Sequence, residues 1–473
     1  MNYHSLARNA GTAFLAQGVA MLLSIIQTLL VPKLLGTRQY GYWQLFIFYT
    51  SYVGFAHFGL NDGVYLVKGG QTRDTIDKRS VNSQFTFGIC FQLAIALAIV
   101  LAALGGGFGP DRDFVIVCTG IFLTIQNAAS YLMYLLQAMN ETRRSSYSTI
   151  VERLTFLVPL VVLLAVRYHS YQPFVISYIF SSVVQLCYCL WYCRDFVRSG
   201  LEPLPQAARE AWGSIRVGFK LMIANIASQL ILGVARFAID AAWGIDTFGE
   251  LSFALSMVNF FLAFVSQASM VLFPALRQVN GDEMRRFFRN ARDAMSLFFP
   301  VIYILYYPFV WLLSLWLPKY ANSFVYFVFL IPICVFDSKM NICCTTFFKV
   351  LREEGRLLWV NLWTCAASAL FTLIGVFVFQ SIFVVIGGVV VAIVGRSVWS
   401  ETRLTRELDV PSSHAVTAGE LALTVDFIAT AMLLPAPWSL AAYCAAYGAF
   451  LFAFRGRGQE LAVKTLRVAR RRQ

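Results

Sequence analysis

Charged side chains are scarce in this chain: they make up 13% of its residues, whereas 58% are hydrophobic, and the mean hydropathy is +0.65. Soluble domains carry charge on roughly a quarter of their residues. So little charge excludes a conventional soluble domain, and 473 residues leave room for many membrane spans. We therefore expect an all-α polytopic membrane protein.

We also expect neither a cleavable signal nor a catalytic domain. The apolar stretch 10–31 is long enough to span a bilayer, and no small-residue cleavage site follows it. The loops are short, and they hold no paired carboxylates, glycine-rich phosphate loop or nucleophile with its base. We expect no enzyme activity and no cofactor. The alternative, a membrane polymerase or glycosyltransferase, would need residues of that kind.

Metal-binding motifs are missing as well. The ten cysteines lie in apolar runs, where cysteine behaves as a small hydrophobic residue. Cys187, Cys189 and Cys193 have a spacing that resembles a metal motif, but Asp195 is the one acid near them and no histidine is close. We expect no metal site.

What the sequence does contain is fourteen apolar runs, each long enough or nearly long enough to cross a membrane. The hydrocarbon core is about 30 Å thick, and helices are the structure that satisfies the backbone inside it. The runs are 10–31, 41–66, 82–104, 114–138, 148–167, 173–193, 218–239, 249–276, 293–316, 324–348, 357–379, 381–399, 417–435 and 437–454.

The distribution of basic residues predicts the topology. The net charge is +13, and with the N-terminus inside most Lys and Arg fall on inner segments, including Arg396 at the inner end of the twelfth run. The outer loops contain Lys33, Arg38, Arg112, Arg167 and Lys319. Such an excess marks the cytoplasmic side. We expect both termini in the cytoplasm, the basic tail 455–473 on anionic membrane lipid, and no nucleic-acid partner.

Two similar segments lie 208 residues apart. LLGTRQYGYW (34–43) and AWGIDTFGEL (242–251) share the pattern G-x-x-x-[YF]-G, each in a short outer turn between two long runs. The same motif at the same place in each half indicates two repeated bundles. The predicted domains are an N-terminal six-helix bundle (1–193), a cytoplasmic linker (194–217), a C-terminal six-helix bundle (218–400), a loop with an extra helix pair (401–454) and the basic tail (455–473).

Three segments carry a resemblance to a known family. They are LARNAGTAFLAQGVAMLLSIIQTLLVPKLLGTRQYG (6–41), GFKLMIANIASQLILGVARFAIDAAWGIDTFGELSFALSMVNFF (218–261) and FFKVLREEGRLLWVN (347–361). In these segments the chain resembles the polysaccharide-biosynthesis flippases, the O-antigen type of the multidrug/oligosaccharidyl-lipid/polysaccharide (MOP) exporter superfamily. The resemblance implies about fourteen helices, with two six-helix bundles in a V around a central cavity and an extra C-terminal pair.

The same resemblance implies a transporter of the bacterial plasma membrane. Its cargo would be a polyprenyl-diphosphate-linked oligosaccharide, moved from the inner to the outer leaflet by alternating access. A lipid II flippase and a cation-coupled multidrug exporter of the same superfamily stay open as alternatives. The implied partners are this lipid-linked oligosaccharide, membrane lipids, H⁺ or Na⁺ as coupling ion, and a glycosyltransferase or polymerase of the same pathway.

Charges inside predicted spans mark the candidate site, because each costs at least ~2.5 kcal/mol at mid-membrane. Arg236 and Asp240 lie at i and i+4, where they can pair. The functional alternative is that Arg236 faces the cavity and binds the diphosphate. The family resemblance, in the ARF sequence of 235–237, favours this second interpretation.

The tenth run carries Asp337 and Lys339, which point to nearly opposite sides of a helix and cannot neutralise each other. We expect Lys339 either as a second cavity cation or against another helix. Asp337, and Asp426 in the thirteenth run, are candidates for ion coupling or for packing.

Two further groups belong to the first half. Arg153, next to Glu152, is predicted near the cytoplasmic surface, either extended towards the lipid headgroups or in a basic rim that binds the substrate. Asn61 and Asp62 are predicted to meet water at the inner end of the cavity. His57 is either a packing residue or a group that titrates beside Asp62. Gly59 and Gly63 form a G-x-x-x-G that offers close helix packing as the alternative.

Overall fold

The computed structural model describes residues 18, 23, 25, 26, 28–276 and 281–457. Most of the first predicted span and of the basic tail lie outside these residues, so the expectations about them stay predictions. Within the described residues, the regular structure is helical. This follows from the sequence, because a chain of long apolar runs must satisfy its backbone hydrogen bonds within each run.

The α-helices are labelled in chain order. They are α1 Val31–Thr50, α2 Leu60–Val67, α3 Lys78–Gly106, α4 Pro110–Ala138, α5 Thr142–Ala165, α6 Gln172–Tyr192, α7 Arg194–Val197, α8 Leu204–Leu276, α9 Gly281–Phe298, α10 Val301–Trp316, α11 Ala321–Leu330, α12 Pro332–Lys339, α13 Thr346–Val350, α14 Glu354–Leu373, α15 Ile382–Glu407, α16 His414–Leu433 and α17 Ala436–Ala453. Short 3₁₀ segments cover Val53–His57 and Pro318–Tyr320, and π segments cover Met340–Thr345 and Ile374–Val378.

Among the described residues, nine helices are long and apolar enough to cross a membrane, or eleven if each of two bent pairs forms one span. The bent pairs are α9 with α10 and the segment 318–330 with 332–350. The second predicted span is broken instead, because α1 and α2 are separated by the 3₁₀ segment. The predicted total of fourteen stays a prediction.

The repeated glycines have the same backbone conformation in both halves. Gly36 has φ 71° and ψ 174°, and Gly244 has φ 82° and ψ −179°. This region is accessible essentially only to glycine. Each glycine interrupts what would otherwise be one helix, and the aromatic residue four positions later, Tyr40 or Phe248, is fully buried.

The described chain forms two compact units, which divide between residues 226 and 227 within α8. In unit 1 (1–226), α3, α4 and α6 surround an apolar core that includes Leu132, Leu135 and Cys189. In unit 2 (227–473), a core around Phe288, Phe347 and Leu404 joins α9, α13 and α15. The predicted domain boundaries, with a linker at 194–217, stay predictions.

Candidate functional site

The break between α1 and α2 positions the acid of unit 1. Phe58 and Gly59 both have positive φ, and the chain turns there before α2 begins. His57 Nδ1 accepts a hydrogen bond from the Gly59 amide at 3.0 Å, so a neutral ring carries its proton on Nε2. That nitrogen lies 3.8 Å from Asp62 Oδ2. The structure therefore brings the predicted His57 and Asp62 together, with a separation longer than a hydrogen bond.

Asn61 and Asp62 lie in the protein interior. They are 0% and 6% exposed, and Asn61 Nδ2 donates to the backbone oxygen of Asn127 in α4 at 3.1 Å. The expectation that both side chains meet water is therefore wrong for this structure. Asn61 instead donates to a neighbouring helix, while its Oδ1 has no hydrogen-bond partner in the described part of the chain. His57 is a charge-capable neighbour of Asp62.

The glycines around these residues permit a close approach of two backbones. A Cβ added to Gly59 would lie 2.6 Å from the amide nitrogen of Phe219, and one added to Gly63 would clash with the carbonyl oxygen of Ser214. Gly218 completes the contact from the side of α8. The G-x-x-x-G of α2 is thus a helix-packing motif, in which the absence of side chains lets the helices touch.

A pocket of about 440 Å³ opens beside this contact. Its lining is mostly aromatic and includes Phe87, Phe91 and Phe219. The polar groups in the lining are the buried amide of Gln92, the imidazole of His57 and the guanidinium of Arg216. The pocket belongs entirely to unit 1. It combines an apolar body with one cation, Arg216, whose side chain is exposed.

Arg153 lies in the middle of α5, twelve residues into a helix of 24. Its side chain interacts with Glu152 and with the hydroxyl of Tyr178 in α6. Tyr178 is one of a cluster of rings that also contains Trp43, Phe46, Phe122 and Phe156. Arg153 was predicted either near the headgroups or on a cytoplasmic rim. Both predictions are wrong for this structure, because the neighbours of Arg153 lie inside unit 1.

Arg236 is held by the repeat motif of unit 2. Its Nη2 donates to Ser252 Oγ at 3.0 Å, and its Cζ lies 5.2 Å from the ring centroid of Phe248. In a straight helix these residues would be about 20 Å apart, at about 1.5 Å per residue. The chain therefore reverses at Gly244, which supports two predicted spans on either side of it. The guanidinium is half-buried, whereas Asp240 is 5% exposed.

The corresponding aromatic residue of unit 1 has a different neighbour. Tyr40 accepts a hydrogen bond at its hydroxyl from Gln44 Nε2 at 2.7 Å, while Phe248 presents its face to a cation. The position that matches Arg236 in unit 1 is Thr28. The two halves thus share a turn, but the arginine of unit 2 has a threonine at the matching position of unit 1.

Lys339 is enclosed in unit 2. Its Nζ lies 2.6 Å from Glu401 Oε2 in α15 and 2.7 Å from Glu420 Oε2 in α16. The exposed fractions of these residues are 1%, 3% and 0%. The expectation that Lys339 is a cavity cation is therefore wrong for this structure, because two carboxylates surround it. We call Lys339, Glu401 and Glu420 the buried triad.

Asp337 points away from the triad, as its position two residues from Lys339 requires. Its Oδ1 accepts a hydrogen bond from Arg396 Nη2 in α15. Arg396, assigned to an inner segment from the sequence, thus belongs to the interior of unit 2, with 8% of its side chain exposed. The other candidate, Asp426, is half-buried in α16.

Neither partner of Lys339 was predicted from the sequence. Glu420 is an acid inside an apolar run, which is a signal that could have identified it. Glu401 lies just beyond the end of the predicted twelfth run, and nothing in the local pattern distinguished it from a solvated acid.

A groove of about 620 Å³ lies between α14 and α15 on unit 2. Three tryptophans, Trp359, Trp363 and Trp399, line it and are more than half exposed. Arg396 is its charged group, and its Nη1 also contacts Asn361 Oδ1 at 3.3 Å.

Comparison with known proteins identifies both the family and the fold. A family model for polysaccharide biosynthesis proteins matches residues 6–280, more than half of the chain. No curated protein sequence shows significant similarity to it. The family match is therefore the evidence at the level of sequence.

Solved structures extend the fold to nearly the whole chain. The lipid II flippase MurJ in an inward closed conformation has a TM-score of 0.61 at 8% identity, covering 95% of this chain and 99% of that one. An inward-facing multidrug resistance MATE family transporter of the MOP superfamily has a TM-score of 0.53 at 11% identity, covering 82% and 94%. A MOP superfamily transporter from Pyrococcus furiosus Vc1 has a TM-score of 0.50 at 11% identity, covering 86% and 95%.

Identities this low show the fold and nothing about cargo. The fold is the one that these structures of the MOP superfamily share. With the family model covering residues 6–280, the chain belongs to the polysaccharide biosynthesis protein family.

Proposed function

We propose that this protein is a flippase that moves a polyprenyl-diphosphate-linked oligosaccharide from the inner to the outer leaflet of the bacterial plasma membrane. The observation that carries the proposal is the combination of a polysaccharide biosynthesis family match with a fold shared by a lipid II flippase. Alternating access of two bundles is the mechanism that this fold favours. The distribution of Lys and Arg supports cytoplasmic termini.

Arg236 is the residue that we propose to bind the diphosphate. Its guanidinium is half-buried and oriented by Ser252 and by the face of Phe248, so its planar fork is preorganised. Guanidinium groups bind phosphate oxygens through two parallel hydrogen bonds. Lys339 is not part of this proposal, because the buried triad neutralises it.

A lipid II flippase is the second candidate. It is favoured by the fold similarity to MurJ, which extends over 95% of this chain. A multidrug exporter is less well supported, because a cavity cation such as Arg236 would repel the small cations that such exporters carry.

The two flippase functions can be separated in cells. The gene is deleted in its host and restored on a plasmid, and surface polysaccharide and lipid-linked oligosaccharide in the inner leaflet are measured. We expect loss of the polymer and accumulation of the lipid-linked precursor, both reversed by the plasmid. Rescue of a strain depleted of its lipid II flippase, with surface polysaccharide unaffected by the deletion, would contradict the proposal in favour of the second candidate.

Arg285→Ala is the matched control for Arg236→Ala. Arg285 is exposed on α9, so its loss removes a cation from the same unit without touching the proposed diphosphate site. We expect Arg285→Ala to restore polymer export fully and Arg236→Ala not to restore it.

A further inference from the structure

The buried triad contains more negative than positive charge. Lys339 contributes one cation, and Glu401 and Glu420 contribute two carboxyls. The remaining charged neighbours are already paired: Arg292 lies 2.8 Å from Asp293, and Arg396 binds Asp337. Full ionisation would therefore leave one uncompensated negative charge where the three triad residues are at most 3% exposed.

Such a charge is not tolerated in a closed interior. An unpaired buried ion costs several kcal/mol, and a carboxyl in that position takes up a proton instead. In the part of the chain that the structure describes, the cations packed around the triad already face carboxylates of their own, so the triad has no cation besides Lys339. The groups packed around it are Arg292 and Asp293 from α9, Tyr303 from α10, Cys343 from the π segment and Arg396 from α15.

The hydrogen bonds distinguish the two carboxyls. Glu401 Oε1 accepts from the hydroxyls of Ser413 at 3.0 Å and Thr417 at 3.3 Å, while its Oε2 faces Lys339. This is the environment of an ionised carboxylate, with two hydroxyl donors on one oxygen and an ammonium group 2.6 Å from the other. Glu420 faces Lys339 through Oε2, and the hydroxyl of Ser296 is its other polar neighbour. A hydroxyl can accept a hydrogen bond as well as donate one, so it can serve a protonated carboxyl.

We propose that Glu420 holds a proton and that the buried triad is a proton-binding site joining α12, α15 and α16. Release of that proton leaves a net negative charge among three helices. The charge can be accommodated only by the entry of water or a cation between α16 and its neighbours. The π segment that starts directly after Lys339 places a deformable turn beside the triad.

Difference infrared spectroscopy of the full chain in detergent, in Na⁺-free buffer at neutral pH, tests this directly. The signal is the carbonyl band of protonated carboxylic acids. We expect Glu420→Gln to remove the intensity of one acid. Glu401→Gln should remove the same intensity, because Glu420 then becomes the ionised partner of Lys339 and loses its proton. Lys339→Met should add the intensity of a second acid, since neither carboxyl retains a counter-ion.

Glu283→Gln is the control. Glu283 is exposed on α9 in the same unit, so its substitution should leave the band unchanged. Thermal unfolding shows which of the two carboxyls holds the proton. Glu420→Gln should keep the melting temperature of the natural chain, because a neutral amide replaces a neutral acid. Glu401→Gln should lower the melting temperature, because it removes the ionised carboxylate.

Three outcomes would overturn the proposal. No loss of intensity in Glu420→Gln would mean that both carboxyls are ionised. Loss of the band on adding Na⁺ to the natural chain would make the triad a cation site. The reverse order of melting temperatures would place the proton on Glu401.

Discussion

Gly218 packs directly against Gly63, backbone on backbone, where α8 meets α2. A Cβ on Gly218 would lie 2.9 Å from the Gly63 Cα and closer still to the Gly63 nitrogen. This contact holds the short helix that carries Asn61 and Asp62 in the interior of unit 1. The buried position of those polar residues thus depends on glycines in both helices.

Gly63→Ala should destabilise unit 1, because the new methyl group would clash with the backbone carbonyl of Ser214. The clash is with backbone atoms, so it can be relieved only if one of the two helices shifts. Overpacking of this kind costs about 1–3 kcal/mol. Gly213→Ala is the matched control on α8, since nothing lies within 4 Å of its added Cβ. It should be neutral or stabilising by about 0.5–1 kcal/mol. Thermal unfolding in detergent compares the two, and equal melting temperatures would contradict the packing argument.

Gly244→Ala should destabilise the reversal of chain direction in α8, and Gly36→Ala should have the same effect in α1. Open space surrounds both positions, so the cost is one of backbone conformation alone. A non-glycine residue at such φ and ψ costs about 1–3 kcal/mol. Gly387→Ala, in α15 with open space and no positive φ, is the control. Membrane abundance and melting temperature measure the effect, and the prediction fails if all three variants behave alike.

Arg236→Ala should abolish export of surface polysaccharide while the protein still accumulates in the membrane. Arg236→Lys should keep part of the activity, because the charge survives without the two-pronged geometry. If Arg236 serves only to balance Asp240, either single substitution should reduce abundance instead. The double variant Arg236→Ala/Asp240→Ala should then recover abundance and export. A fully active double variant would therefore exclude the substrate role.

An ion-pair cluster of unit 1, around Asp195, should be sensitive to acid. Arg73 Nη1 lies 2.7 Å and Lys78 Nζ 3.0 Å from the Asp195 carboxyl. Burial opposes ionisation of Asp195, but the hydrogen bond from Lys78 and the charge of Arg73 outweigh it and lower the pKa of this carboxyl. A lowered pKa stabilises the fold above the ordinary carboxyl range, and this contribution disappears as the pH falls through the folded value.

Asp195→Asn tests this contribution. It should lower the melting temperature at neutral pH, and the difference from the natural chain should shrink as the pH falls. Asp74→Asn, at an exposed position nearby, should change little at either pH. A difference for Asp195→Asn that is constant with pH would mean that its ion pairs contribute nothing.

The helical class follows from the apolar runs, because a continuous apolar segment in lipid satisfies its backbone hydrogen bonds as a helix. The sequence also indicated the repeated turn. Gly36 and Gly244 adopt a backbone conformation that only glycine reaches easily, so the turn requires glycine at one position, and that requirement appears in the local sequence.

The partners of the buried charges depend on tertiary packing and could not be identified from the sequence. From the sequence, Lys339 was an isolated cation in an apolar run, open to water or to another helix. Its partner Glu420 lies 81 residues away, and no local pattern records which distant helix will pack there. The same holds for Arg396 and Asp337, 59 residues apart. A charged residue inside a membrane span indicates that it has a partner, but which residue that partner is depends on how the helices pack.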